Sequence, residues 1–284
     1  LGDVYKRQDY FLPSLNLKCN LNDKNSLRLG ASKTYTLPQA KEISPYRYVG
    51  VNFNSQGNLN LKPSDHYNLD LKWDFNPTPT ELISLTAFYK LIKNPISRIE
   101  VASAGGYLSY ENIADKATVA GVEVEIRKNL FVRPVSNAAH GMNKLSLGLN
   151  GSYIYTNAKM PLATVTTGSQ LEGAAPWIVN FDLSHNFTKR ERSFVNTLVL
   201  NYVSDKIYTI GTQGYQDMME QGVLTLDFVS QAKLNKHLSL NLKARNLLNP
   251  SYKLSRKVNE NGEKVILNDY KKGINISLGV SCTF

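Results

Sequence analysis

The carboxy-terminal stretch Tyr270–Phe284, YKKGINISLGVSCTF, constrains the chain more than any other. Ile274, Ile276, Leu278, Val280, Cys282 and Phe284 alternate one for one with Gly273, Asn275, Ser277, Gly279, Ser281 and Thr283. Successive side chains of a strand point to opposite faces, so this is one apolar ribbon backed by one small, polar ribbon. A tilted strand of about 9–11 residues crosses the hydrocarbon core of a bilayer. The stretch therefore reads as a transmembrane β-strand, the last of its barrel.

Bulk averages point elsewhere, and the reason is physical. Hydrophobic residues make up 42% of the 284 and mean hydropathy is −0.30, values ordinary for a water-soluble chain. Barrel strands escape such averages because every second residue faces a polar lumen. No apolar run approaches the roughly 18 residues of a helical span, which excludes a helical membrane protein. The 16 tyrosines suit strands and interfacial aromatic belts. The net charge of +10 reads as a lumen and loops rich in lysine. No run is dense enough for a nucleic-acid arm, so no nucleic-acid partner is expected. Cys19 and Cys282 occupy apolar strand positions and read as small hydrophobes on the lipid face, not as a disulfide framework or metal site.

The period-two code recurs along the chain. It marks strands at Leu15–Leu21, Leu27–Ala31, His66–Phe75, Glu81–Lys93 and, as one long strand, Gly106–Lys128. Six more follow at Leu145–Tyr155, Trp177–Phe187, Leu198–Tyr202, Leu224–Ala232, Leu238–Ala244 and the terminal stretch. Connections at 21–24, 76–80, 189–192 and 235–236 are tight, with 129–142 the exception; those at 37–64, 94–105, 158–173, 205–221 and 249–269 are long. Outer-membrane barrels segregate connections this way, with short periplasmic turns and long extracellular loops. The faces follow from energetics: a Lys or Arg on a lipid-facing midplane position costs about 2–4 kcal/mol. The Leu238–Ala244 ribbon therefore faces lipid, and Lys243 and Arg245 face the lumen. Trp73, Phe75, Tyr153, Trp177, Phe187 and Tyr202 lie near strand ends, as interfacial girdles do. The expected fold is thus all-β: a transmembrane, antiparallel, up-and-down β-barrel.

Several stretches resemble the C-terminal β-barrel of TonB-dependent outer-membrane receptors, especially those of Bacteroidetes-type bacteria. They are ISPYRYV (43–49), GNLNLKPSDHYNLDLKWDF (57–75), LISLTAFYKLIKNPI (82–96), YENIADKATVAGVEVEIRKNL (110–130), ARNLLNPSY (244–252) and the terminal Phe284. The resemblance spans nearly all of 9–284, and the KATVAGVEVE and RNLLNPSY stretches are its most specific parts. It implies about eleven strands of an expected 22, a half-barrel fragment whose plug domain lies outside this sequence. The opening LGDVYKRQ (1–8) resembles translated sequencing-adaptor read-through, which makes it a non-native leader. The resemblance also implies TonB-dependent import of a scarce nutrient (ferric siderophore, cobalamin or glycan) across the outer membrane of a Gram-negative bacterium. The implied partners are outer-membrane lipid and lipopolysaccharide, the TonB complex through an N-terminal part, and a small nutrient ligand. The barrel-assembly machinery is the last, recognising Ile276, Leu278, Val280 and Phe284 as a C-terminal signal. An autotransporter translocator or a passive porin is the alternative reading; the former calls for a pore-threading helix before the first strand, where Asp9 onward shows strand.

Enzyme chemistry finds no foothold. His66, His140, His185 and His237 are scattered without HExxH or a Cys partner, and no GxSxG elbow, P-loop or GxGxxG fingerprint occurs. Glu123 and Glu125 share a strand face with Arg127, which reads as a lumen-facing ionic ladder rather than a catalytic pair. No enzyme, cofactor or metal is expected. Function concentrates on loops over a rigid scaffold, so Tyr46 and Tyr48 in loop 37–64, and Tyr208 and Tyr215 in loop 205–221, are the candidate ligand-side residues.

Overall fold

The computed structural model describes residues 10–101, 106–135, 141–160, 170–212, 214–258 and 262–283. The termini 1–9 and Phe284, and with them the proposed leader and the last residue of the assembly signal, lie outside this set, as does His140. The strands, in chain order, begin with β1 (Ser14–Asn20), β2 (Asn25–Thr36), β3 (Arg47–Tyr48), β4 (Ser55–Gln56), β5 (Ser64–Phe75) and β6 (Leu82–Lys93). Next come β7 (Ile96–Val101), β8 (Tyr107–Asn112), β9 (Lys116–Pro134), β10 (Met142–Ala158), β11 (Trp177–Lys189) and β12 (Arg192–Val203). The last are β13 (Lys206–Thr209), β14 (Met218–Glu220), β15 (Val223–Lys233), β16 (Leu238–Arg245), β17 (Ser251–Lys257), β18 (Lys264–Lys271) and β19 (Asn275–Cys282).

Eleven of these form one antiparallel sheet in the order β1-β2-β5-β6-β9-β10-β11-β12-β15-β16-β19. They are the eleven strands expected from the alternation. Register is what makes their faces coherent. Leu17 pairs with Leu29, Leu29 with Leu71, Leu71 with Ala87, Ala87 with Val122, Val122 with Tyr153, and Tyr153 with Trp177. A one-residue slip anywhere would flip an entire ribbon to the wrong side. The apolar side of this wall is open rather than packed: Leu71 is 45% and Leu278 70% exposed. Tyr67, Tyr89, Tyr153, Trp177 and Tyr202 mark one rim of that side, and Trp73, Phe75, Phe187 and Phe194 the other. Tyr153 and Trp177 touch at 4.6 Å between centroids, and Trp73 and Phe75 stack at 6.2 Å. Cys19 and Cys282 sit exposed on β1 and β19, opposite Leu27 and Leu238.

The other side is polar and internally bonded. Asn150, Asn180 and Asn201 hydrogen-bond across β10, β11 and β12, and Arg127 pairs with Glu125 at 2.7 Å. The two most specific stretches of sequence have local explanations. Gly121 lies beneath the Phe88 ring, where a Cβ would come within 2.4 Å of Cζ. In RNLLNPSY, Asn246 and Asn249 adopt positive φ (58° and 44°) in a turn closed by Asn249 N–H on the Asn246 carbonyl, 2.9 Å. Asn246 Nδ2 then donates to Gly273 O (2.7 Å), and Gly273 N–H donates to Asn249 Oδ1 (3.1 Å), tying the start of the last strand to the end of β16.

The connections depart from the sequence reading in three ways. The run Gly106–Lys128 is two strands, not one: after Asn112 the chain leaves β8, buries Ile113 and Ala114, and re-enters the wall as β9. The supposed 129–142 connection shrinks to 135–141 because β9 continues to Pro134 past a register shift between Leu145 and Ser146. That removes the exception and leaves every connection at that end short. Finally, four of the long connections carry strands of their own: they contribute β3-β4-β8-β7 and β13-β14-β17-β18, two small sheets beyond one end of the wall.

Candidate functional site

All five long connections leave the same end of the wall, since each follows a strand running in that direction. Their packing begins with backbone. Glu100 N–H donates to Ile210 O (3.1 Å) and Ile210 N–H to Arg98 O (3.0 Å), a parallel bridge joining the two small sheets. Around it Ile99, Ile113, Ile207 and Ile210 are buried with Ala114, Ala117, Ala158 and Leu171. Each buried isoleucine contributes about 1.5–3 kcal/mol of transfer free energy. Among the described residues the apolar core therefore sits in the loops and at the strand ends beneath them, Ala117 of β9 and Ala158 of β10, because the wall keeps its own apolar side for lipid.

Two ion pairs between distant loops close the assembly. Arg256 Nη2 meets Glu100 Oε2, both side chains largely buried, and Thr212 Oγ1 donates to the Glu100 carbonyl. Arg98 Nη2 lies 2.7 Å and Nε 3.2 Å from Glu172 Oε1. The Arg98 guanidinium also stacks over Tyr208, 4.0 Å from the ring centroid.

Between the two small sheets lies a cavity of about 610 Å³. Its wall carries six aromatics, Tyr48, Phe53, Tyr110, Tyr208, Tyr252 and Tyr270, with Lys41, Arg98 and Lys253 against one carboxylate, Glu220. Tyr252 and Tyr270 stack at 5.4 Å, Lys272 lies 3.8 Å over Tyr252, and Lys41 lies 4.5 Å over Tyr48. Burial disfavours charge on Arg98, but the hydrogen bonds and charge of Glu172 outweigh it and raise its pKa. Burial raises the Tyr110 pKa, with Arg98 opposing, so its hydroxyl stays protonated and able to donate. A cavity of this size with aromatic walls and a few fixed polar groups has the dimensions of a small-molecule site.

Of the candidate tyrosines, Tyr48 and Tyr208 line the cavity. Tyr46 is 80% exposed and stands outside its wall, and Tyr215 instead carries the Arg256 guanidinium 5.2 Å over its ring. Ile276, Leu278 and Val280 lie on the open edge strand β19. Sequence reasoning passed over Arg98, Tyr110, Tyr252 and Tyr270. For the last two a signal existed: the Asn261-Gly262 hairpin pair and the alternation on either side of it. His66, His185 and His237 sit on separate strands or turns, and among the described residues no group of His, Cys, Asp and Glu has metal-site geometry.

An antiparallel wall with an apolar outer side, a polar inner side, two aromatic rims and loops gathered at one end is part of the wall of an outer-membrane β-barrel, with β1 and β19 as its two edges. The chain belongs to the TonB dependent receptor-like, beta-barrel family, whose model matches residues 2–247. Over 228 residues it is 25% identical to the iron-regulated outer membrane virulence protein of Vibrio cholerae serotype O1, covering 77% of this chain and 32% of that protein. The chain thus spans about a third of the length of the curated relatives it matches. Among solved structures it resembles the ferric enterobactin receptor PfeA of Pseudomonas aeruginosa (TM-score 0.60, 19% identity, 96% of this chain and 40% of that one). It also resembles the ferric yersiniabactin uptake receptor FyuA of Yersinia pestis (0.59, 15%, 96% and 37%) and the copper transporter OprC (0.63, 14%, 95% and 39%). At these identities the likeness is one of fold.

Proposed function

We propose that this chain supplies wall and extracellular loops to a receptor that imports a ferric siderophore across the outer membrane, driven by the TonB complex. The observation that carries the reading is the aromatic and cationic cavity held between the gathered loops. The names of the relatives support iron over cobalamin or glycan: one is iron-regulated, and two structural neighbours take ferric siderophores. In this reading the apolar ribbons contact outer-membrane lipid and the loop exteriors contact lipopolysaccharide. The barrel-assembly machinery recognises the last strand through Ile276, Leu278, Val280 and Phe284.

The test is growth on ferric siderophores as the sole iron source, in a Gram-negative strain stripped of its own receptors and carrying the full-length gene. Growth that requires an intact TonB complex is the expected outcome. Iron uptake that continues without TonB would overturn the reading and turn it toward a passive porin.

A further inference from the structure

We propose that the apolar side of the wall holds one anionic phospholipid by its headgroup, at a polar island on β10, β11, β12 and β15 near the short connections. The proposal rests on the reading that this wall spans the outer membrane, and it adds a specific lipid site to the general contact with lipid.

Register draws the island. On the apolar side His185 pairs with Asn196, and Asn196 with Ser230, three polar residues in one row across three strands. Asn143, opposite Phe187, is the fourth. Leu145, opposite His185, and Leu242, opposite Ser230, close the row at its two ends. Toward the middle of the wall the next row is Leu147, Leu183, Leu198 and Phe228. Toward the short connections lie Phe187, Phe194 and Ala232. Apolar residues at these positions would simply continue the lipid-facing ribbons, so strand formation does not call for polar groups here.

The four side chains satisfy one another only in part. His185 Nε2 donates to Asn143 Oδ1 (2.8 Å), and Ser230 Oγ donates to Asn196 Oδ1 (2.7 Å). Both asparagine carbonyls are thus used, whereas among the described residues neither Nδ2 has a protein acceptor. Polar groups turned toward hydrocarbon are costly and rare unless something pairs with them. The phosphate of a lipid in the leaflet at the short-turn end supplies the missing acceptors.

Charge agrees with that occupant. Arg133 lies opposite Asn143 with its guanidinium 5.5 Å over the Phe131 ring. Lys189 and Arg192 face each other at the turn beyond Phe187, where Glu191 is the one carboxylate. None of the three cations has a carboxylate partner among the described residues. Cations just outside a membrane's apolar band attract anionic lipid. Four strands span about 14 Å, a width for one headgroup. A protein partner would need roughly 800 Å² on this side, and apolar residues bound the island all round.

The experiment is native mass spectrometry of the full-length receptor released from detergent. The probes are phosphatidylglycerol, phosphatidylethanolamine and uncharged diacylglycerol with the same acyl chains. One phosphatidylglycerol is expected to stay bound, at least about tenfold more tightly than diacylglycerol. Asn143→Leu combined with Asn196→Leu removes the free donors and continues the apolar rows; it should weaken phosphatidylglycerol by about tenfold. Because that pair also cuts cross-strand hydrogen bonds, the exposed Arg133→Ala is the second variant. It should weaken phosphatidylglycerol about fivefold and leave diacylglycerol unchanged. Diacylglycerol held as tightly as phosphatidylglycerol would overturn the proposal. So would a phosphatidylglycerol affinity within about twofold of the parent in both variants, or an equal loss in Leu69→Ala, on the apolar side of β5. Receptor dimers that the asparagine variant dissolves would also overturn it, and would assign the island to a second copy of the receptor. Absence of lipid selectivity with TonB-dependent uptake intact rejects the lipid site and keeps the proposed function. Selective retention without uptake rejects the function and keeps the site.

Discussion

Gly121→Ala tests whether the wall is held by a close approach that only glycine permits. The Cβ it introduces would lie 2.4 Å from Phe88 Cζ and 2.4 Å from the Tyr153 backbone oxygen. Ordinary carbon contacts lie near 3.5–4.0 Å, so each approach is short by about 1 Å. The Phe88 ring is the far end of a side chain and can swing away. The Tyr153 carbonyl belongs to β10, paired with β9 along nearly its whole length, and moves only if the two strands separate. Overpacking of this kind costs about 1–3 kcal/mol. Swinging Phe88 aside also uncovers glycine backbone that the ring shields, the arrangement by which aromatics offset the weakness of glycine in strands. Urea unfolding in micelles, read as a midpoint shift at constant slope, measures the change. Repeating the substitution in a Phe88→Ala background apportions it: the cost should fall by about 1 kcal/mol, the share due to the ring, and should not vanish. A cost within about 0.5 kcal/mol of zero, or one unaffected by Phe88, would refute the account.

Glu100→Gln removes one partner of the Glu100–Arg256 pair, in which the side chains are 12% and 16% exposed. Breaking such a pair costs about 3–5 kcal/mol, here against the opening of the loop assembly. Hydrogen exchange should quicken in β13 and β17 and stay unchanged in β10 and β11. Leu183→Arg puts a cation on the apolar side and should destabilise the membrane-inserted wall by about 2–4 kcal/mol, against a much smaller effect for Ser184→Arg on the polar side, both read by unfolding from lipid vesicles. In the turn at 76–81, the Asn129 N–H and then Lys128 hold the Glu81 pKa below its ordinary value, opposed by burial. A depressed carboxylate contributes stability that is present above its unfolded pKa and lost as pH falls through the folded one. Glu81→Gln should therefore flatten the acid limb of the stability–pH profile and leave the neutral limb parallel to the parent.

The wall was legible because each residue's position there depends on its immediate neighbours. Leu69, Leu71 and Trp73 against Asn68, Asp70 and Lys72 define two faces whatever the rest of the chain does, and a lipid outside and a polar lumen inside reward the same alternation in every strand. The misreading of Gly106–Lys128 as one strand leaves a mark in the sequence. Its alternation is clean only from Ala120 to Arg127, whereas Ile113 and Ala114 are apolar neighbours followed by Asp115 and Lys116, and there the chain leaves the sheet to fill the core of the loops.

The cavity was less legible for a stronger reason. Arg98 faces Glu172 across 74 residues of chain, Glu100 meets Arg256 across 156, and Ile99 reaches Ile210 through a single bridge. These contacts depend on every intervening strand keeping its register. Adding or removing one residue within β9 or β10 would carry the loops they support to a different lateral position, and Arg98 would lose Glu172 without any change in its own segment. The shape of the candidate site is thus a property of the register of the wall. The Tyr48 and Tyr208 rings share a cavity because β5 through β12 all pair in step, which loop composition alone does not encode.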